Sequence, residues 1–128
     1  MSYVEQSIGT IRSFTQLDAW KQGHQLVLSI YTCTKAFPKD ELFGLTSQMR
    51  RASVSITSNI AEGFRRRTIK EKRQFFSTSL ASLTEIQNQL LISRDVQYIA
   101  HDVFDQLAQQ SVRVGKLING LLRSLKKI

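Results

Sequence analysis

Apolar side chains recur every three or four residues along four long stretches of this chain. Leu45, Met49, Ala52, Ile56 and Ile60 are spaced so that they share one face of an α-helix. Gln48, Arg51, Ser55, Asn59 and Glu62 repeat the same spacing in a neighbouring row. That row lies at the edge of a packed face, where a buried amide or carboxylate needs a hydrogen-bond partner on a facing helix or a second subunit. Before it, Leu17, Trp20, Val27 and Tyr31, with Leu26, Ile30, Cys33 and Phe37, make a face wide enough for two neighbouring helices. After it, Phe76, Leu80, Leu83, Ile86 and Leu90 form a third stripe, and Val103, Leu107, Val114, Ile118, Leu121, Leu125 and Ile128 a fourth.

The breaks between stripes carry stop and start signals. Thr15 and Asp18 form a weakened capping box for the first helix, with Phe14 as its staple, and Pro38 ends that helix. The turn Lys39 to Gly44 follows, with Asp40 as the cap expected there, and the second helix is under way by Thr46. It runs to about Glu62, where Gly63 is expected to stop it in the left-handed conformation. Thr68 and Glu71 make a full capping box, so the third helix starts near Ile69 and reaches about Arg94. At about 1.5 Å per residue it is about 40 Å long. Between Arg94 and Asp102 there is neither Gly nor Pro, and a short turn is expected at Tyr98 and Ile99. Gly115 and Gly120 inside the fourth helix leave room for a close neighbour. Residues 1–13 show no period and read as a flexible arm; residues 14–128 form one domain. Four amphipathic helices with short links give an all-α fold, an antiparallel up-down-up-down four-helix bundle.

Composition supports this arrangement and narrows the function. Six Gly and one Pro in 128 residues leave few turns for a many-stranded sheet. No apolar run reaches a membrane span, and the first ten residues lack a basic start and an apolar core, so no membrane or secretion role is expected. The single cysteine, Cys33, fits a reducing compartment, and a cytoplasmic protein is expected. His24 and His101 stand apart from other ligand types, so neither metal nor cofactor is expected. No Gly-rich phosphate loop or activated nucleophile occurs, and no catalytic residue is assigned. Asn59 and Glu62 fit a structural hydrogen-bond network more simply than a cleft.

The net charge of +8 changes the picture, because strongly basic small domains often meet nucleic acid. Arg50, Arg51, Arg65, Arg66, Arg67, Lys70, Lys72 and Arg73 are opposed in their segment only by Glu62 and Glu71. Antiparallel packing gathers Arg65 to Arg73 at one end of a bundle, with Arg50 and Arg51 toward the other. Cations there meet phosphates and are largely blind to base identity. Phe64, Phe75 and Phe76 lie nearby, though Phe76 fits the core stripe. Arg65 to Arg67 also complement the dipole of the helix they follow. A second group, Arg113, Lys116, Arg123, Lys126 and Lys127, reads as a solvated face. The other partner consistent with the patch is an acidic protein.

Several stretches resemble the four-helix-bundle proteins encoded in intervening sequences of bacterial 23S rRNA genes. They are Phe14-x-x-Leu17-x-x-Trp20, Phe37-Pro38 with Glu41, and Phe43-Gly44-Leu45. The most specific is Gln48-x-Arg50-Arg51-Ala52 leading into Ser55-Ile56 and Asn59-Ile60-Ala61-Glu62-Gly63; Ser82 with Glu85 and Gly120-Leu121 are weaker landmarks. Thr57 stands where that family often carries proline, which should leave the helix straighter. The resemblance implies an up-down bundle, a homo-oligomeric ring that is commonly a pentamer, and Gln48, Ser55, Asn59, Glu62 and Gly63 as a structural or oligomer motif. It also implies kinship with nucleic-acid-binding accessory proteins that work with the reverse transcriptase of diversity-generating retroelements. It implies no catalytic activity.

Overall fold

The computed structural model describes residues 11–126; the first ten residues, Lys127 and Ile128 lie outside the described residues. Four α-helices follow in order: α1 (Asp18–Thr34), α2 (Leu45–Arg65), α3 (Ile69–Asp95) and α4 (His101–Leu125). Single 3-10 turns at Phe14–Gln16 and Lys39–Glu41 precede α1 and α2. No strand occurs among the described residues.

Helix ends differ from the sequence expectation wherever a better local partner exists. Ser13 and Gln16, not Thr15 and Asp18, form the capping box. The Ser13 hydroxyl accepts from the Thr15 amide at 3.2 Å, and the Gln16 side-chain oxygen accepts from the Ser13 amide at 3.1 Å. That pair serves the 3-10 turn, and α1 begins behind Leu17 without a side-chain cap. Residues 11–13, read as arm, thus include a cap, and Ile11 packs on the core. At α2 the cap comes from Glu41 and not Asp40: Glu41 Oε1 accepts from the Leu45 amide at 3.1 Å. The other oxygen of Glu41 accepts from the Tyr98 hydroxyl at 2.9 Å, which ties this turn to the α3–α4 link. Thr68 caps α3, accepting from the Glu71 amide at 3.1 Å, but the reciprocal half of the expected box is replaced: the Glu71 carboxylate accepts from the Thr68 hydroxyl at 2.9 Å. The α3–α4 link reverses at Gln97, whose φ of 67° is left-handed in a segment without glycine.

Gly63 does not stop α2. The helix continues to Arg65, and no described glycine has positive φ. Gly63 is buried, and a Cβ on it would sit 2.6 Å from a ring carbon of Phe76. This glycine serves close approach of α3, while the chain leaves the helix at Arg66 by turning to extended backbone.

Contacts along each helix pair run in opposite senses. Ser55 meets Ser82 at 2.7 Å and Ser93 meets Met49 at 3.4 Å, so α2 and α3 are antiparallel. Gln87 with Ser111, and Arg94 over the Phe104 ring, give the same course for α3 and α4. Arg50 reaches Thr34 while Gly23 lies against Thr57, which sets α1 antiparallel to α2. Leu28 to Cys33 of α1 share a groove with Val103 to Leu107 of α4, which closes the circle. Leu26, Ile30, Met49, Ile56, Leu83, Ile86, Leu90, Val114 and Ile118 fill the centre, essentially without solvent contact. Each such side chain contributes about 1.5–3 kcal/mol through burial.

Serines interrupt that apolar centre. Ser53, Ser79, Ser93 and Ser111 are buried, and each hydroxyl donates to a main-chain carbonyl. Satisfied in this way, small hydroxyls let helices approach closely without leaving an unpaired polar group. The bond from Ser79 to the Ile56 carbonyl, at 2.7 Å, crosses from α3 to α2.

Candidate nucleic-acid interface

The first turn of α3 is built against the last turn of α2. Lys72 Nζ donates to the Gly63 carbonyl at 3.2 Å and to the Phe64 carbonyl at 2.8 Å, so this lysine caps the C-terminus of α2. Burial holds its pKa below the ordinary lysine value. Arg66 is also engaged: it pairs with Glu62 at 2.8 Å, and its guanidinium lies 4.6 Å from the centre of the Phe75 ring. Both partners of that ion pair are solvated, so it adds little stability. Arg65, Arg67, Lys70 and Arg73 remain, all exposed and with no described partner, around the Arg66–Thr68 link. Lys70 and Arg73 are three apart on α3 and share a face. These four are the cations of the hairpin corner open to an anion.

Arg50 belongs elsewhere. Its Nε donates to the Thr34 hydroxyl at 2.9 Å, and its guanidinium lies 4.8 Å from the centre of the Tyr31 ring, so it fastens α2 to the end of α1. Arg51 is exposed at the same far end. The structure therefore brings Arg65, Arg66, Arg67, Lys70, Lys72 and Arg73 together and leaves Arg50 and Arg51 apart from them.

The polar row of α2 divides as its position dictates. Gln48, Arg51 and Glu62 are exposed, whereas Ser55 and Asn59 are half-buried. Asn59 Nδ2 donates to the Ser55 carbonyl at 2.8 Å and to its hydroxyl at 3.1 Å. With the Ser55–Ser82 bond this makes a short chain of hydrogen bonds across the α2–α3 seam.

Arg113, Lys116, Arg123 and Lys126 of the second basic group are exposed, as a solvated face requires, and Lys127 lies outside the described residues. Antiparallel packing brings the second half of α4 beside the starts of α1 and α3. Lys21, Arg113 and Lys116 line one groove there, with Asp18, Gln22 and Leu117. Arg123 and Lys126 lie further along α4 toward the same end. Arg12, ahead of α1, stands there too. Glu85 and Arg113 sit near mid-height. Leaving those two aside, Arg12, Lys21, Arg65, Arg66, Arg67, Lys70, Lys72, Arg73, Lys116, Arg123 and Lys126 occupy this end against Asp18, Glu62 and Glu71. At the other end Lys35, Lys39, Arg50, Arg51 and Arg94 are matched by Asp40, Glu41, Asp95, Asp102 and Asp105. The fold separates a strongly basic end from a balanced one. Reading charge segment by segment misses this, although the alternating course of four helices contains the signal.

Among the described residues no group of three or more His, Cys, Asp or Glu side chains could hold a metal ion. None of the described helices is long and apolar enough to cross a membrane. Cys33 is half-buried, and burial pushes its thiol up to about 11, against the lesser opposing effect of the Arg50 charge.

A solved structure with this fold is that of a protein of unknown function from the S23 ribosomal protein family of Bacteroides thetaiotaomicron. It is 16% identical, with a TM-score of 0.75, over 82% of this chain and 95% of that one. No curated protein matches the chain. The sequence model of the 23S rRNA-intervening sequence protein family matches residues 15–120, which takes in all of α1, α2 and α3 and most of α4. The chain therefore belongs to the family of 23S rRNA-intervening sequence proteins.

Proposed function

We propose that this chain is a non-catalytic nucleic-acid-binding protein, working as a homo-oligomer with a pentamer favoured, that holds RNA or DNA through phosphates at its basic end. The observation that carries this reading is the separation of charge. Eleven cations face three carboxylates at one end, while the other end is balanced. Four of those cations, at the α2–α3 corner, have no described protein partner. Such an end attracts a polyanion over a Debye length and contacts it without regard to sequence.

Exposed apolar side chains support assembly. Leu91 and Val112, each more than two-fifths exposed, line one groove with Phe104 and Ala108, and Phe43 is 92% exposed. An oligomer would cover such surface and repeat the basic end around its axis, so that weak phosphate contacts act together. The same exposed residues favour, as a second reading, contact with a protein partner, in which case the chain is a scaffold or accessory subunit.

The test is binding of labelled RNA and DNA as a function of salt. Phosphate contact predicts a log–log slope of about −0.9 per contact on duplex and about −0.7 on single strands. Affinity independent of salt, or no binding at low ionic strength, would contradict the proposal and leave the scaffold reading.

A further inference from the structure

We infer that the basic end takes the paired backbone of a double helix and not unstacked single strands. This inference rests on the nucleic-acid reading above and names its substrate class. Proteins that hold single strands without sequence preference commonly combine a basic groove with open aromatic faces on which bases stack. Among the described residues at this end of the bundle, every aromatic ring is half-buried or buried and carries a protein contact. The Phe75 ring carries the Arg66 guanidinium at 4.6 Å, and Lys72 Nζ lies 5.8 Å from the centre of Phe64. Phe76 is 4% exposed, wedged where a side chain on Gly63 would stand. Trp20 stacks on His24 at 4.7 Å and packs against Phe14 in a T-shaped pair at 5.5 Å. Among the described aromatic residues the most exposed, Phe43, lies at the opposite, charge-balanced end.

The cations, by contrast, are open and spread. They run from the α2–α3 corner to the groove between α1 and α4, where Lys21 and Lys116 are exposed beside the single carboxylate of Asp18, with Arg113 exposed toward mid-height. Point charges spread over an end several helices wide match the regular phosphate rows of a duplex. Among the described residues at this end no aromatic ring is exposed beside them for a splayed base to stack on. Because the phosphate row is the shared chemistry, DNA and RNA duplexes are two arms of one test.

The experiment titrates the full chain against a labelled 20-mer as duplex DNA, duplex RNA and the corresponding single strands, compared at equal phosphate concentration. Duplex is expected to bind at least about tenfold more tightly, consistent with its higher charge density. Emission of Trp20, the chain's one tryptophan, is expected to stay unquenched by single strands. Lys21→Ala combined with Lys116→Ala, both at exposed positions, is expected to reduce the duplex salt slope by about 2. Single strands binding as tightly as duplex, base-dependent quenching of Trp20, or an unchanged slope in the double variant would each overturn the inference. Failure of every nucleic acid to bind at low salt would instead remove the reading on which it rests.

Discussion

At the scale of single residues, local partners decide which cations and small side chains are structural. Arg50, Arg66 and Lys72 each carry a positive charge, yet each is fixed by protein contacts that Arg65, Arg67, Lys70 and Arg73 lack. Gly63 is set by contact distance. Gly63→Ala forces its new methyl against the Phe76 ring, and a loss of about 1–3 kcal/mol is expected, read as a lower Tm. An unchanged Tm would mean that α2 and α3 separate more easily than their packing implies. Cys33 gives a pH test. Burial favours its neutral thiol, so the stabilisation this brings is present below the ordinary thiol value of 9.0 and is lost as pH rises through about 11. Alkylation of the folded protein should accelerate around pH 11, and that of the denatured chain around pH 9. An inflection near pH 9 in the folded protein would contradict the described burial.

At the scale of elements, apolar periodicity gave four helices at close to their observed bounds, because spacing alone fixes which side chains share a face. Caps and turn conformations depart from the sequence expectation where chemistry acts from outside the helix. Glu41 caps α2 from within the preceding turn, and Gln97 takes a left-handed conformation that its sequence does not announce. The buried serines were invisible for a related reason: a serine reads as surface until its hydroxyl finds a carbonyl on a neighbouring turn or helix. Asn59 and Ser55 were legible as polar groups at a packed edge, but their chain to Ser82 on α3 depends on register between helices. Asn59→Leu removes the two bonds of the amide and should lower stability by about 1 kcal/mol. Nucleic-acid affinity should be unaffected. A thermal melt and sedimentation profile identical to the parent would contradict that assignment.

At the scale of the whole molecule, helix direction turns a modest linear bias into a polar object. Residues 65–73 and the second half of α4 are far apart in sequence, yet they share one end because four helices alternate in course. The α2–α3 corner was legible as a basic segment; the full basic end was not, since it exists only once α4 lies beside α1 and α3. That end is the proposed place of nucleic-acid binding. The most direct measurement compares two charge-neutralised variants in one low-salt binding assay. One carries Arg65→Ala, Arg67→Ala, Lys70→Ala and Arg73→Ala at the basic end; the other carries Lys35→Ala, Lys39→Ala and Arg51→Ala at the balanced end, all at exposed positions. Loss of four phosphate contacts should weaken binding by at least about a hundredfold and flatten the salt slope by about 3–4, while the second variant stays near the parent. Equal affinity in the two variants, or a larger loss in the second, would contradict it.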